Sequence, residues 1–150
     1  MIGYNTDIYG FKDALTPFIA DAHCTKALIL GNGGAAKAVR FVLNCLDILS
    51  TTVTRTPKNR DEIGYDSIHT YLTEFQLIIN ATPLGTWPKT DEFPPIPYEL
   101  LTPNHYLLDL VYNPITTTFM QKGEKQGAHT CNGYQMLLKQ AEKNIEIWIK

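Results

Sequence analysis

Apolar residues recur along this chain in two rhythms. Ile8, Phe11, Leu15 and Phe18 share one helical face behind the polar triplet Asn5-Thr6-Asp7, as in an amphipathic helix entered through a polar cap. Ala27 to Leu30 is a short unbroken apolar run that ends in a glycine cluster, after which Ala36, Val39, Leu43 and Leu46 resume helical spacing. Thr52-Val53-Thr54, Leu77-Ile78-Ile79 and Tyr106-Leu107-Leu108 read as strands. The pattern then predicts a helix beginning near Ile115, a short strand around His129-Thr130, and a closing helix from about Tyr134 to Trp148. Apolar strands alternating with helices are what a parallel sheet covered on both faces requires, because both faces of each strand are buried. The predicted class is α/β, doubly wound, with a mainly parallel sheet and helices on both sides.

Length and composition narrow the picture. The 150 residues fit one domain, long enough to bury about 70% of the surface of the unfolded chain. A formal net charge of -2 offers no basic footprint for nucleic acid and no polybasic membrane patch. No apolar run approaches the roughly 18 residues that span a bilayer, and the opening residues have neither the basic nor the apolar region of a secretory leader. Cys24, Cys45 and Cys131 are odd in number and form no C-x-x-C pair, which points to a reducing, cytoplasmic setting. The histidines at 23, 69, 105 and 129 have no ligand spacing, so no metal site is expected.

Residues 83–103, PLGTWPKTDEFPPIPYELLTP, hold six of the nine prolines. Proline lacks the N–H that a sheet ladder needs, so this stretch is either a surface connection or a binding loop.

Chemistry begins at ALILGNGGAAKAV. Gly31, Gly33 and Ala36 satisfy G-x-G-x-x-G/A between a strand and a helix, the context of a Rossmann-like dinucleotide site. Gly31 permits the tight turn, Gly33 removes a Cβ from the path of a pyrophosphate, and Ala36 lets the helix pack closely. The helix N-terminus offers unpaired N–H groups to the anion. A glycine-rich turn without a ligand is the alternative. The second strand ends in TTVTRTPKNR, where an NAD site would present Asp or Glu. Arg55 stands there instead, with Lys58 and Arg60 nearby and the first carboxylates only at Asp61 and Glu62. A guanidinium at that position suits the 2′-phosphate of NADP. Asn80 and Thr82 follow the third strand in IINATPLG, and Tyr112 and Asn113 follow the fourth in LLDLVYNP. All four lie at carboxyl ends of strands, where open α/β sheets bind ligands.

In their order GYNTDIYGF, GNGGAAKA, TRT, INATPLG, DLVYNPITTTF and NGYQMLLKQAEKNIEIW, the motifs resemble the C-terminal NADP-binding domain of the shikimate dehydrogenase family, over nearly the whole chain. The resemblance implies NADP-dependent interconversion of 3-dehydroshikimate and shikimate, in aromatic biosynthesis. It assigns Gly31, Asn32, Gly33, Gly34 and Ala35 to the pyrophosphate, and Thr54, Arg55 and Thr56 to the adenosine phosphate. Leu110, Gly133 and Met136 fall to the nicotinamide end of the cofactor, and Asn80 and Thr82 count among the cofactor-binding residues. On the substrate side it places Thr6, Asp7, Tyr112 and Gln140, with Asp7 bonding a substrate hydroxyl and pairing with a catalytic lysine. Thr54 stands where many members have Asn, Pro83 where many have Ser, and Gln135 where glycine is frequent.

The same resemblance implies that a substrate domain precedes the NTD motif and carries that lysine. No lysine of this chain occupies a matching motif. Residues 1–150 are therefore expected to be a single NADP-binding half, inactive alone, with 1–18 and 133–150 facing the substrate domain. Taken only as residues, Asp7 reads as a helix cap, Tyr112 as a strand-end aromatic and Gln140 as a helix position beside an apolar face of Leu137, Ala141 and Ile145. Gly10, inside a helix at a cost of about 1 kcal/mol relative to Ala, signals a close approach. A non-catalytic NADP-binding module and a quinate-accepting relative stay open as alternatives.

Overall fold

The computed structural model describes residues 6–149. Six strands form one all-parallel sheet: β1 (Lys26–Leu30), β2 (Leu49–Val53), β3 (Glu62–Ile63), β4 (Leu77–Asn80), β5 (Tyr106–Asp109) and β6 (His129–Cys131). Their spatial order is β3-β2-β1-β4-β5-β6. The order reverses at β1, whose Leu30 pairs with Val53 on one side and Asn80 on the other. That reversal opens a crevice at the carboxyl ends of β1 and β4, the place where doubly wound sheets take ligands.

The alternation of side chains along each strand divides the core into two layers. Ala27, Ile29, Leu77, Ile79 and Leu108 face α1 (Thr6–Phe18), α2 (Gly34–Cys45) and α4 (Tyr134–Ile149), where Phe11, Leu15, Val39 and Leu43 are buried. Leu28, Leu30, Ile78 and Leu107 face the other way, onto Ile68 of the 3₁₀ turn Tyr65–Thr70, Leu72 just after it and Phe119 of α3 (Thr118–Lys125). Each fully buried aliphatic or aromatic side chain contributes about 1.5–3 kcal/mol, so the central strands are fixed from both faces.

Two expectations change. The helix expected near Ile115 starts at Thr118, because Thr117 caps it: its Oγ1 accepts from the Met120 N–H at 3.2 Å. Ile115 is left exposed ahead of it. On α4 the apolar face of Leu137, Ala141 and Ile145 points outward; Met136 is that helix's buried residue. The seam with α1 runs instead through Gly10, where a Cβ would lie 2.7 Å from the Met136 carbonyl oxygen and from Gln140 Cγ. The close approach that Gly10 signals is therefore that of a neighbouring helix. The proline-rich segment 83–103 divides into two parts. Its second half is packed: Ile96 and Leu101 are buried, Tyr98 donates to the Pro94 carbonyl at 2.7 Å, and Phe93, Tyr98 and Phe119 stack edge to face. Its first residues line the crevice.

Candidate functional site

The glycine turn stands at the centre of the crevice. Gly31 leaves β1 with φ +105 and donates its N–H to the Val53 carbonyl at 2.9 Å. Any Cβ there would meet the Ala81 carbonyl oxygen and Thr82 Cγ2 at 3.1 Å, so both the positive φ and the neighbouring loop require glycine. Gly33 is the N-cap of α2 and supplies no side-chain bond to the first turn. A Cβ on Gly33 or Gly34 would meet nothing within 4 Å. The first turn of this twelve-residue helix has no side-chain cap, and the space beside Gly33 and Gly34 is open, an arrangement suited to an anion. Asn32 is exposed here, Ala35 is half-buried, and Ala36 is fully buried against the sheet.

Two hollows flank the turn. One, about 570 Å³, is lined by Arg55, Pro57, Gly64, Tyr65, Asp66, Ser67 and Pro95. Arg55 and Thr56 are exposed after the end of β2, and Arg55 makes no ion pair among the described residues. The half-buried Thr54 keeps its Oγ1 out of solvent with no hydrogen-bond partner among the described residues. Burial pushes the Tyr65 hydroxyl up, and the Arg55 guanidinium opposes that in part. In sequence the first carboxylates after Arg55 are Asp61 and Glu62, but the fold brings Asp66 into the same hollow. Glu62 is tied instead to the Lys58 N–H and the Asn59 amide at 3.0 and 2.8 Å.

The other hollow, about 530 Å³, lies between the loops after β4 and β5. Ala35, Ala81, Thr82, Pro83, Thr86 and Trp87 form one wall, and Leu110, Val111, Tyr112 and Asn113 the other. Trp87, which no sequence pattern marks, joins the walls through its backbone N–H to the Asn113 carbonyl at 2.9 Å. Tyr112 is 49% exposed in this hollow, open to a ligand. Gly133 donates to the Val111 carbonyl at 3.1 Å, and a Cβ on it would overlap the Leu110 carbonyl.

Asn80 sits beneath the rim. Its amide donates to Leu84 O at 3.3 Å and to Asp109 Oδ1 at 3.0 Å. Its oxygen accepts from the Thr82 N–H at 3.1 Å and the Thr82 hydroxyl at 2.6 Å. With its bonding capacity filled, it shapes the site by holding Thr82. Asp109, also passed over in the sequence, is fully buried and accepts from Asn80, from the Val111 N–H at 3.0 Å and from the Thr117 hydroxyl at 2.6 Å. Burial pushes its carboxyl up to about 6, against the pull of those three hydrogen bonds. A carboxylate ending an apolar strand, as in LLDLV, is the signal that could have marked it, since a charge there must be paired.

Met136 lies in the core layer with Phe11, with Leu110 packed against the same cluster. Gln140 is half-buried on the α1–α4 seam, against Gly10. Thr6 and Asp7 open α1, and their side chains lie outside the described residues, as does Asn5 of the opening triplet. The structure thus brings Gly31 to Thr82, Leu110 to Gly133 and Gln140 to α1. Among the described residues no group of three or more His, Cys, Asp or Glu could hold a metal, and no helix is long and apolar enough to cross a membrane.

The strand order and the glycine turn define a Rossmann-like α/β domain. Across known proteins, no family model matches the chain. The shikimate dehydrogenase (NADP(+)) of Methanococcus maripaludis is 36% identical over 160 residues, covering 98% of this chain and 58% of that protein. The chorismate mutase/shikimate 5-dehydrogenase fusion protein of Clostridium acetobutylicum superposes with a TM-score of 0.82 at 35% identity, over 97% of this chain and 54% of that one. The shikimate 5-dehydrogenase of Thermus thermophilus, solved with NADP(H) and shikimate, gives 0.79 at 29% identity, over 97% and 57%. These matches relate the chain to the shikimate dehydrogenase family, along a stretch consistent with that family's C-terminal NADP-binding domain. The chain spans 58% of the length of the Methanococcus relative.

Proposed function

We propose that these residues form the cofactor half of an NADP-dependent shikimate dehydrogenase, which interconverts 3-dehydroshikimate and shikimate. The observation that carries the reading is the uncapped Gly33–Gly34 helix start between two hollows, one edged by Arg55 and the other by Leu110 and Tyr112. Bound NADP supplies a nicotinamide that exchanges hydride with the substrate carbon. Gly31 to Ala35 would cradle its pyrophosphate. Thr54, Arg55 and Thr56 would hold the 2′-phosphate, and the exposed Arg55 supplies the positive charge for it. Thr82, Leu110, Gly133 and Met136 would surround the nicotinamide, directly or from beneath, with Asn80 bracing Thr82.

On the substrate side, Tyr112 and Gln140 would contact shikimate together with Thr6 and Asp7 at the start of α1. Asp7 would pair with a lysine supplied from outside residues 1–150. The exposed Leu138, Ile145 and Trp148 of α4 support 133–150, along with 1–18, as the side that meets a substrate domain. The unpaired thiols of Cys24, Cys45 and Cys131 suit a reducing cytoplasm.

Calorimetric titration with NADP and NAD tests the cofactor assignment. A charge-assisted bond to the 2′-phosphate contributes about 1.5–3 kcal/mol, so NADP should bind about 10- to 100-fold more tightly. Equal dissociation constants would overturn the assignment.

A further inference from the structure

The walls of the nicotinamide-side hollow are joined under its floor by one carboxylate. Asp109 Oδ1 accepts from Asn80 Nδ2 and from the Val111 N–H, each at 3.0 Å, and Oδ2 accepts from Thr117 at 2.6 Å. Asn80 in turn holds Thr82 of the opposite wall through two hydrogen bonds. Leu110 and Val111, the next two residues after Asp109, line the hollow directly. We propose that Asp109 is a positioning residue that clamps both walls of this hollow, and that its negative charge favours the oxidised, positively charged nicotinamide over the reduced, neutral one. This rests on reading the hollow as the nicotinamide site.

The surroundings of Asp109 contain little else that titrates near neutrality. From β4 it meets the uncharged Asn80, and ahead of α3 the Thr117 hydroxyl. Tyr98, in the 3₁₀ turn Tyr98–Leu100, is pushed far up by burial and by the Asp109 charge, with a smaller push from Tyr65. It stays neutral while donating to Pro94. The Lys122 ammonium lies 5.6 Å from the Tyr98 ring and 4.4 Å from that of Phe93. On β6, Cys131 is in register with Leu108, and burial pushes its thiol up. His105 and His129 sit at the amino end of β5, away from the hollow. With its carboxyl held up to about 6, Asp109 changes charge within an accessible range. Three donors aimed at it keep the carboxylate form compatible with the fold. The two redox forms of the cofactor differ by one positive charge on the ring, so the ionised carboxylate affects their affinities differently.

The test is to titrate the 150-residue chain with NADP and with NADPH separately from pH 5 to 8, and to follow the ratio of the two dissociation constants. The 2′-phosphate, whose second pKa is also about 6, is common to both forms and cancels in the ratio. The expected result is a shift toward NADP by about threefold or more as pH rises through 6, the size of one screened charge. Asp109→Asn, which keeps the shape and removes the charge, should flatten the profile. Thr117→Val, which removes the donor to Oδ2, should move the inflection to higher pH, and it serves if Asp109→Asn does not fold. A pH-independent ratio in the unaltered chain, or a profile unchanged in both variants, overturns the proposal. Failure of either cofactor form to bind would instead overturn the reading of the hollow, and this inference with it.

Discussion

Gly10 and Gln140 touch across the α1–α4 seam so closely that a Cβ on the glycine would lie 2.7 Å from the glutamine Cγ and equally close to the Met136 carbonyl. A flexible side chain can yield, but a helix backbone carbonyl cannot do so cheaply. This contact sets where α4 lies against α1, and so where Gln140 sits relative to the opening of α1.

The Gly10→Ala variant is the direct probe of that seam. Helix propensity favours alanine by about 1 kcal/mol, whereas forcing a methyl group into a tight contact costs about 1–3 kcal/mol. The clash should win, giving a net loss of about 1 kcal/mol and a lower melting temperature. A raised melting temperature would show that the helices are free to separate.

Gly33→Val separates ligand binding from folding. Its φ of -91 is open to any residue, and a Cβ there meets no protein atom within 4 Å. Thermal stability should fall by no more than about 1 kcal/mol, the cost of a branched residue at a helix N-cap, while calorimetry should detect neither NADP nor NAD binding. Retained binding would show that the turn does not cradle a pyrophosphate.

Arg55 and Asp66 line one hollow and should act in opposite directions. Arg55→Ala is expected to remove most of the NADP preference, about 10- to 100-fold, with NAD affinity nearly intact. Asp66→Asn should strengthen NADP binding a few-fold by removing a like charge from beside the phosphate, with NAD unaffected. A loss of both cofactors in Arg55→Ala would assign the arginine to the pyrophosphate or the fold.

The Asp109 carboxyl also ties stability to pH. Its pKa is raised from 3.8 to about 6 in the folded chain, so the folded state holds a proton that the unfolded state has released across that window. Stability from this group is fully present below pH 3.8 and is lost as pH rises through about 6. The loss is of order 3 kcal/mol at most. Chemical denaturation of the unaltered chain and of Asp109→Asn at several pH values isolates it: the difference between them should change between pH 4 and 6 and be flat above. A flat difference throughout would mean that Asp109 titrates as an ordinary carboxylate.

Much of this architecture is legible because β1, β4 and β5 are built on apolar runs, Ala27–Leu30, Leu77–Ile79 and Tyr106–Leu108, that only a two-sided sheet can bury. The glycine turn is legible for a similar reason, since its spacing answers to backbone geometry. What escapes is set by tertiary partners. Asn80 and Asp109 meet across 29 residues, and no local pattern announces that pairing. Strand β3 is two residues long, too short for any periodicity. Leu137, Ala141 and Ile145 look like a core face, yet α4 packs through Met136 and Gln140, because Gly10 admits the helix on that side. Thr117 moves the start of α3 because a cap outweighs the apolar Ile115. Asp66 escaped because it follows β3 in sequence yet returns beside Arg55 in space.

As proposed above, this chain would supply the cofactor half of a shikimate dehydrogenase, with the proton-transfer lysine lying outside residues 1–150. The measurement that tests this most directly is absorbance at the NADPH band with shikimate and NADP, for residues 1–150 alone and with a shikimate dehydrogenase substrate domain supplied in trans or fused. A positioned acid–base group contributes about 10²–10⁴-fold, and half the substrate contacts would also be lacking. The expected result is no turnover by the chain alone, NADPH production when the substrate domain is added, and a sharp drop in that restored rate with Asp7→Asn. Robust turnover by residues 1–150 alone would contradict it.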